Sequence, residues 1–307
     1  MTLPIVYHPH YMAPLRQGHR FPMSKYGYLR DALIARGLLP AEAGYIAPAP
    51  ASLSQIARVH DLGYVERAFD ERLTDWEQRE IGLPGTERVV RRARLSAAGT
   101  TLAARLALEH GIACNAAGGS HHAGPDKGAG FCVFNDVAVA ARTLVQDGHV
   151  ARVLVVDLDV HQGDGTAQIF AQDPTVFTLS IHAAKNYPAR KAVSDLDVAL
   201  PDHTGDAAYL ATLRDTLMPL LDRVAPDLVF YNAGVDVHQA DKLGRLSLSD
   251  AGLRARDRSV IEMVRARAIP LVGVLGGGYD EDQAALGARH AVMFEEAALS
   301  MQMASQG

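Results

Sequence analysis

The sequence predicts an α/β fold organised around a mainly parallel sheet, and three observations support this. Short apolar runs enriched in β-branched residues recur at 3–7, 112–116, 153–157, 175–181, 227–232 and 270–275. Two of them, within RVLVVDL and PDLVFYNAG, are apolar almost throughout, as strands covered on both faces must be. The intervals leave room for the crossover helices that parallel neighbours require.

In chain order, the run at 3–7 is followed by a helix expected over 24–36 and by LLPAEAGYIAPAPAS at 38–52, whose alanines and prolines read as a surface loop. Helical patterns then cover 86–110, 133–147, 205–223, 249–267 and 280–304, with Ser249-Asp250 as a capping start. No repeat of 20–50 residues is present. At 307 residues and 48% hydrophobic composition, the chain is long enough to bury one large core, and a single domain over 1–307 is expected.

Charge excludes some functions. A formal net charge of −5 without a run of five like charges argues against nucleic acid or an anionic membrane as partner. Arg88, Arg91, Arg92 and Arg94 fall at helical spacing and read as a solvated face. The start MTLPIVYHPHYMAP lacks a secretory pattern and no segment is long and apolar enough to span a bilayer, so a cytoplasmic location is expected. Cys114 and Cys132 stand outside any CxxC pattern and are expected as reduced thiols.

The strongest chemical signal is a near-duplicate hexapeptide, DVHQGD at 159–164 and DVHQAD at 236–241, each just after an apolar run. Strand ends in open α/β sheets are where ligands bind. Residues two apart on an extended segment point the same way, so Asp159 and His161 can reach one ion together. Asp236 would complete a three-ligand site with room for water and substrate, the pattern of catalytic zinc, and such N/O donors also accept Fe2+ or Co2+. His238 has the same spacing to Asp236, which makes a fourth ligand or a pocket-rim group geometrically feasible.

Two more strand-end loops carry reactive groups. Gly118-Gly119-Ser120-His121-His122 follows IACNAA, and adjacent imidazoles can divide proton work when carboxylates fix each ring; Asp157 and Asp164 are the natural partners. Gly276-Gly277-Gly278-Tyr279 follows VGVL and would deliver a phenol able to stabilise an oxyanion. The remaining histidines, including His60 and His290, read as surface or structural groups, and His182 within LSIH lies near the site.

With these residues assembled, the chain resembles the zinc-dependent histone deacetylase family. The resemblance covers about residues 5–290 and rests on SHHAGPDKGAGFCVFND, VVDLDVHQGDG, LSIH, YNAGVD followed by DKLGRLSLS, and LGGGY, in the family's order. YNAGVD, the single histidine of DVHQGD and GRLSLSDAG look closest to the class IV branch. The resemblance implies a three-layer α/β/α, arginase/deacetylase-like fold and removal of an acyl group from lysine or a lysine-like small amine. Asp159, His161 and Asp236 would hold the metal. His122, oriented by Asp164, would shuttle protons; His121, held by Asp157, would act electrostatically; Tyr279 would grip the substrate carbonyl. Gly130 and Phe131 would line one wall of an acyl-lysine tunnel and Tyr187 the other. A monovalent cation, K+ in this family, would use Asp157, Asp159, His161 and Ser180.

Three alternatives are set beside that reading. A polyamine or other small-molecule amidohydrolase would share the fold. An arginase-type enzyme with two manganese ions would need a carboxylate two residues beyond the histidine, where Gly163 stands. A non-catalytic acyl-amine binding protein would be expected to lack a ligand or the phenol.

Overall fold

The computed structural model describes residues 2–304. Seven strands, β1 (Ile5–Val6), β2 (Ile112–Asn115), β3 (Val153–Asp157), β4 (Val176–Ala183), β5 (Leu196–Leu200), β6 (Leu228–Asn232) and β7 (Leu271–Val274), form one sheet in the order β1-β2-β7-β6-β3-β4-β5. Every pairing is parallel. Around it lie α1 (Lys25–Ala35), α2 (Leu53–Ile56), α3 (Leu62–Phe69), α4 (Asp75–Ile81), α5 (Glu87–His110), α6 (Asp136–Gln146), α7 (Asp164–Phe170), α8 (Asp206–Val224), α9 (Asp250–Arg265) and α10 (Gln283–Ala304).

Strand alternation makes this a three-layer structure. Val153, Val155, Leu228, Phe230, Val272 and Val274 pack into one core with the alanines of α5 and α6, among them Ala103, Ala107, Ala138 and Ala141. The intervening Leu154, Val156, Val229 and Tyr231 enter the opposite core with Leu29 of α1, Leu213 of α8, Leu253 of α9 and Phe294 of α10. Successive residues of a strand point to opposite faces, and both faces are covered here, which is why β3 and β6 have almost no polar residue before their carboxyl ends.

Helix boundaries follow from capping. Ser249 accepts from Gly252 N at 3.0 Å at the start of α9, and Asn135 accepts from Ala138 N at 3.0 Å at the start of α6. Gly111, in the left-handed region at φ 81°, closes α5 and turns the chain directly into β2.

Several elements differ from expectation. Only Ile5–Val6 of the run at 3–7 is strand. β5 has no counterpart in the apolar pattern because it is the edge strand, with Asp197 and Ala199 exposed. Helices α2, α3, α4 and α7 are of 4, 8, 7 and 7 residues, shorter than the window over which periodicity is read. Two of them do carry capping boxes, Ser52 with Gln55 and Thr74 with Glu77. Within 38–52 there is a single bridge, Ile46 to Val6.

The arginine cluster on α5 needs correcting. Arg92 is buried, donating through Nε to the Tyr11 carbonyl at 2.9 Å and through Nη2 to the Tyr26 hydroxyl, because the N-terminal segment lies over that face of the helix. Helical spacing alone cannot distinguish a solvated face from one covered by distant chain.

Candidate active site

The carboxyl ends of β2, β3, β6 and β7 deliver the site. In register, Asp157 at the end of β3 stands between Asn232 of β6 and Ser180 of β4. Beyond the ladder, Asp159, His161 and Asp236 converge: His161 Nδ1 lies 3.0 Å from Asp159 Oδ1 and 3.1 Å from Asp236 Oδ2. All three are buried. Their second oxygens are fixed by main chain, Asp159 Oδ2 by Gly277 N–H at 2.6 Å and Asp236 Oδ1 by Val160 N–H at 2.9 Å. A side chain at 277 would place its Cβ 1.8 Å from Asp236 Oδ2, so only glycine permits this approach.

This donor set fits a divalent cation. One ligand atom from each residue lies within 4.8 Å of the others. Burial and the neighbouring Asp159 charge push Asp236 up to about 7. Although burial alone would lower His161, its bonds to Asp159 and Asp236 push it up to about 10. Both directions reflect one cause: two carboxylates in a poorly solvated site demand positive charge, which a cation supplies without protons.

Above these ligands lie the paired imidazoles, with ring centroids 4.1 Å apart. His121 Nδ1 meets Asp157 Oδ2 at 2.6 Å, and His122 Nδ1 meets Asp164 Oδ1 at 2.6 Å. Their environments differ. Burial would depress His121, but the charges of Asp157 and Asp159 overcome it and raise the ring to about 9. Burial and repulsion from His121 lower His122 to about 4. The first ring is therefore an imidazolium at neutral pH; the second is neutral, donating from Nδ1 and keeping the Nε2 lone pair free.

Tyr279 stands opposite, its ring 6.3 Å from that of His161, and burial with the Asp236 and Asp159 charges keeps its phenol protonated. Phe131 lies 6.0 Å from Tyr279. Gly130 and Phe131 are both left-handed, at φ 54° and 66°. A Cβ at 130 would meet His122 Cδ2 at 2.5 Å, and the unusual backbone at Phe131 is held by Gly130 N–H to Glu80 O and Phe131 N–H to Ile81 O at the end of α4. Tyr187, 44% exposed, stands edge-on to His122 at 4.8 Å across the opening. Together His122, Gly130, Phe131, His161, Tyr187 and Tyr279 line a cleft of about 460 Å3.

The other candidates fall as follows. His238 lies apart from the ligand cluster: Nδ1 accepts from Ala240 N at 3.1 Å and Nε2 faces Asp250 at 3.3 Å. Ser180 is engaged by His182 Nδ1 at 2.9 Å and sits beside Asp157 on the neighbouring strand. At Gly163 a Cβ would come 2.3 Å from Asp157 Oδ2, leaving no room for the further carboxylate of a two-manganese centre.

Three supporting residues were not singled out from the sequence, Asn232 although it lies within YNAGVD, and Lys25 and Arg256 because nothing around them marks a site. Asn232 Nδ2 donates to Asp157 Oδ1 at 2.9 Å, steadying the partner of His121. Buried Lys25 donates to Gly276 O at 2.9 Å, and Lys25 and Arg92 border a cavity of about 30 Å3 behind the imidazole pair. Arg256, wholly buried on α9, donates to Gly234 O at 2.5 Å and reaches Leu158 O at 3.4 Å, the turns that precede Asp236 and Asp159, while pairing with Asp257. In sequence Lys25 and Arg256 are an ordinary lysine and an ordinary arginine at helical positions.

A parallel α/β sheet that gathers a buried Asp-His-Asp cluster, two carboxylate-held imidazoles and a phenol at its carboxyl edge is an arrangement suited to hydrolytic chemistry. Residues 19–294 match the histone deacetylase domain, and the chain belongs to that family. It is 47% identical over 297 residues to an uncharacterized protein of Picosynechococcus sp., covering 97% of this chain and 99% of that one. To histone deacetylase 2 of Arabidopsis thaliana it is 33% identical over 277 residues, 87% of this chain and 71% of that protein. The crystal structure of an acetylpolyamine aminohydrolase from Burkholderia pseudomallei superposes with a TM-score of 0.76 at 25% identity, covering 96% and 98% of the two chains.

Proposed function

We propose that this protein is a metal-dependent deacylase that hydrolyses the amide of an acylated lysine or lysine-like amine. The reading rests above all on the geometry of two adjacent imidazoles, His121 held at Nδ1 by Asp157 and His122 held at Nδ1 by Asp164, over the Asp159–His161–Asp236 cluster. Those three residues would hold a divalent ion, zinc by first choice, with Fe2+ or Co2+ compatible. When bound, the ion supplies Lewis acidity toward the amide carbonyl and acidifies water. A K+ ion at Asp157, Asp159, His161 and Ser180, a class IV placement within the family and a cytoplasmic location belong to the same proposal.

The chain's own groups account for the proton inventory. His122 Nε2 takes a proton from the attacking water as its oxygen bonds to the amide carbon. Asp164 holds the ring in the tautomer this requires, and the imidazolium then returns the proton to the departing amine nitrogen. His121 stays protonated through Asp157 and offsets negative charge developing in the site. Tyr279 donates its phenolic hydrogen to the oxyanion. Phe131 and Tyr187 flank the acyl-bearing chain and exclude water from it, with Gly130 allowing close approach to His122.

The test is amine release from an acetyl-lysine peptide, a longer acyl-lysine peptide and an acetylpolyamine by zinc-loaded protein. Hydrolysis of at least one is expected, with loss on chelation and in His122→Ala. Zinc-loaded protein that binds these amides yet releases no amine would replace the reading with a binding protein.

A further inference from the structure

The floor of the cleft is shared with the proposed chemistry, but its mouth has a charge pattern of its own. Arg16, Arg20 and Arg79 border the same 460 Å3 cleft as His122, His161 and Tyr279. All three are exposed, and among the described residues none has an ion pair or hydrogen bond through its guanidinium. The acids nearby are mostly committed: Asp280 pairs with Arg289 at 2.5 Å and Glu281 pairs with Lys242. Glu80 is the remaining carboxylate on the wall of this cleft. An adjoining cleft of about 600 Å3 is also bordered by Arg16, Arg20 and Tyr279, so the two arginines stand where both clefts meet the phenol.

We infer that the mouth selects acylated amines that carry a carboxylate close to the acylated nitrogen's chain, and discriminates against polycationic ones. The inference rests on the deacylase reading for the position of the scissile amide and adds the charge of what stays outside. An unpaired guanidinium presents a planar fork that matches a carboxylate, whereas a second ammonium on an acylpolyamine would meet three like charges opposed by one carboxylate. Complementarity of this kind acts mainly on specificity and association rate. The carboxylate could come from acidic residues flanking an acyl-lysine in a peptide or from the free α-carboxylate of an acyl-lysine.

The full chain, loaded with zinc, is tested with acetyl-lysine peptides of equal length flanked by Asp, by Ser or by Lys, with free Nε-acetyl-lysine, and with acetylputrescine. Both direct binding and amine release are measured, at low and high salt. The Asp-flanked peptide should bind about tenfold tighter than the Ser-flanked one, the cumulative scale of two or three exposed ion pairs, and the Lys-flanked peptide more weakly than either. The spread should narrow in ~1 M salt, where the Debye length falls to about 3 Å. Free acetyl-lysine outcompeting its α-amide would assign the preference to the α-carboxylate; no difference would assign it to flanking side chains. Arg16→Gln/Arg20→Gln/Arg79→Gln should bring the Asp-to-Ser ratio close to one, and the single Arg20→Gln, on an exposed loop, should reduce it partway. Equal binding of all three peptides, preference for the Lys-flanked peptide or acetylputrescine, or an undiminished ratio in the triple variant would overturn the inference. An acid preference in binding with no amine release would instead sink the hydrolase reading and leave the charge selection standing.

Discussion

Replacing Arg256 by Met tests whether the ligand-bearing turns are held from beneath. The guanidinium and Asp257 are both essentially fully buried, joined at 2.8 and 3.0 Å, and Tyr231 adds a hydroxyl to the same Asp257 oxygen at 2.5 Å. Met fills much of the space but strands a carboxylate without its cation, which costs about 3–5 kcal/mol. The carbonyls of Gly234 and Leu158 lose a donor as well. A loss of at least ~4 kcal/mol is therefore expected against the ~5–15 kcal/mol typical of a folded domain. Because those carbonyls belong to the turns before Asp236 and Asp159, zinc affinity should also fall by roughly 10–100-fold. Urea unfolding of metal-free protein measures the first effect and competition with a chromophoric chelator the second. Arg256→Met/Asp257→Leu should recover part of the stability, since no unpaired charge remains. A single variant within 1 kcal/mol of wild type and equal to it in zinc affinity would refute the reasoning.

Three further outcomes are expected. Tyr279→Phe should lower single-turnover rate by ~10²–10³-fold with little change in metal content or substrate affinity, because the phenol is asked to act only as charge develops; near-normal turnover removes it from the mechanism. His161→Ala should lose metal while His238→Ala keeps it, as His238 faces Asp250 away from the cluster, and equal loss in both would overturn that distinction. His60 is buried, with Nδ1 against Gly124 O at 2.8 Å and Nε2 accepting Asn135 N at 2.9 Å, and burial lowers it to about 4. The unfolded chain binds its proton first, so its contribution is full above pH ~6.5 and is lost as pH falls toward 4, by about 3 kcal/mol; His60→Gln should show a shallower decline in unfolding free energy over that range, and a parallel decline would refute the assignment.

The sheet was largely legible because strands buried on both faces leave long apolar runs, as in β3 and β6. β5 was not, since an edge strand with Asp197 and Ala199 exposed shows no such run. Of the short helices between residues 53 and 81, α2 and α4 announce themselves by capping boxes and α3 by the Asp61 cap. At the site, Asp159, His161, Asp236, His121, His122 and Tyr279 are brought together as their strand-end motifs led one to expect, since function-bearing loops there follow directly from strands. Lys25, Arg92 and Arg256 were invisible. Each acts on main-chain carbonyls or a hydroxyl far away in sequence, and no pattern along the chain encodes which carbonyl a long side chain will reach.

The contact between Gly277 N–H and Asp159 Oδ2 ties the segment bearing the phenol to the ligand cluster as one mechanical part. Any side chain at 277 would drive into Asp236, displacing the hydroxyl donor and opening the ligand set at once. Chemistry on this scaffold is thus hard to retune piecemeal. Arg16 and Arg20, by contrast, ride on a loop with no hydrogen bond to Asp159, His161 or Asp236 among the described residues, so exchange there changes what is admitted without loosening what reacts. Selectivity and reactivity are housed in separable parts, and divergence among proteins of this design is free to proceed at the mouth while the floor stays fixed.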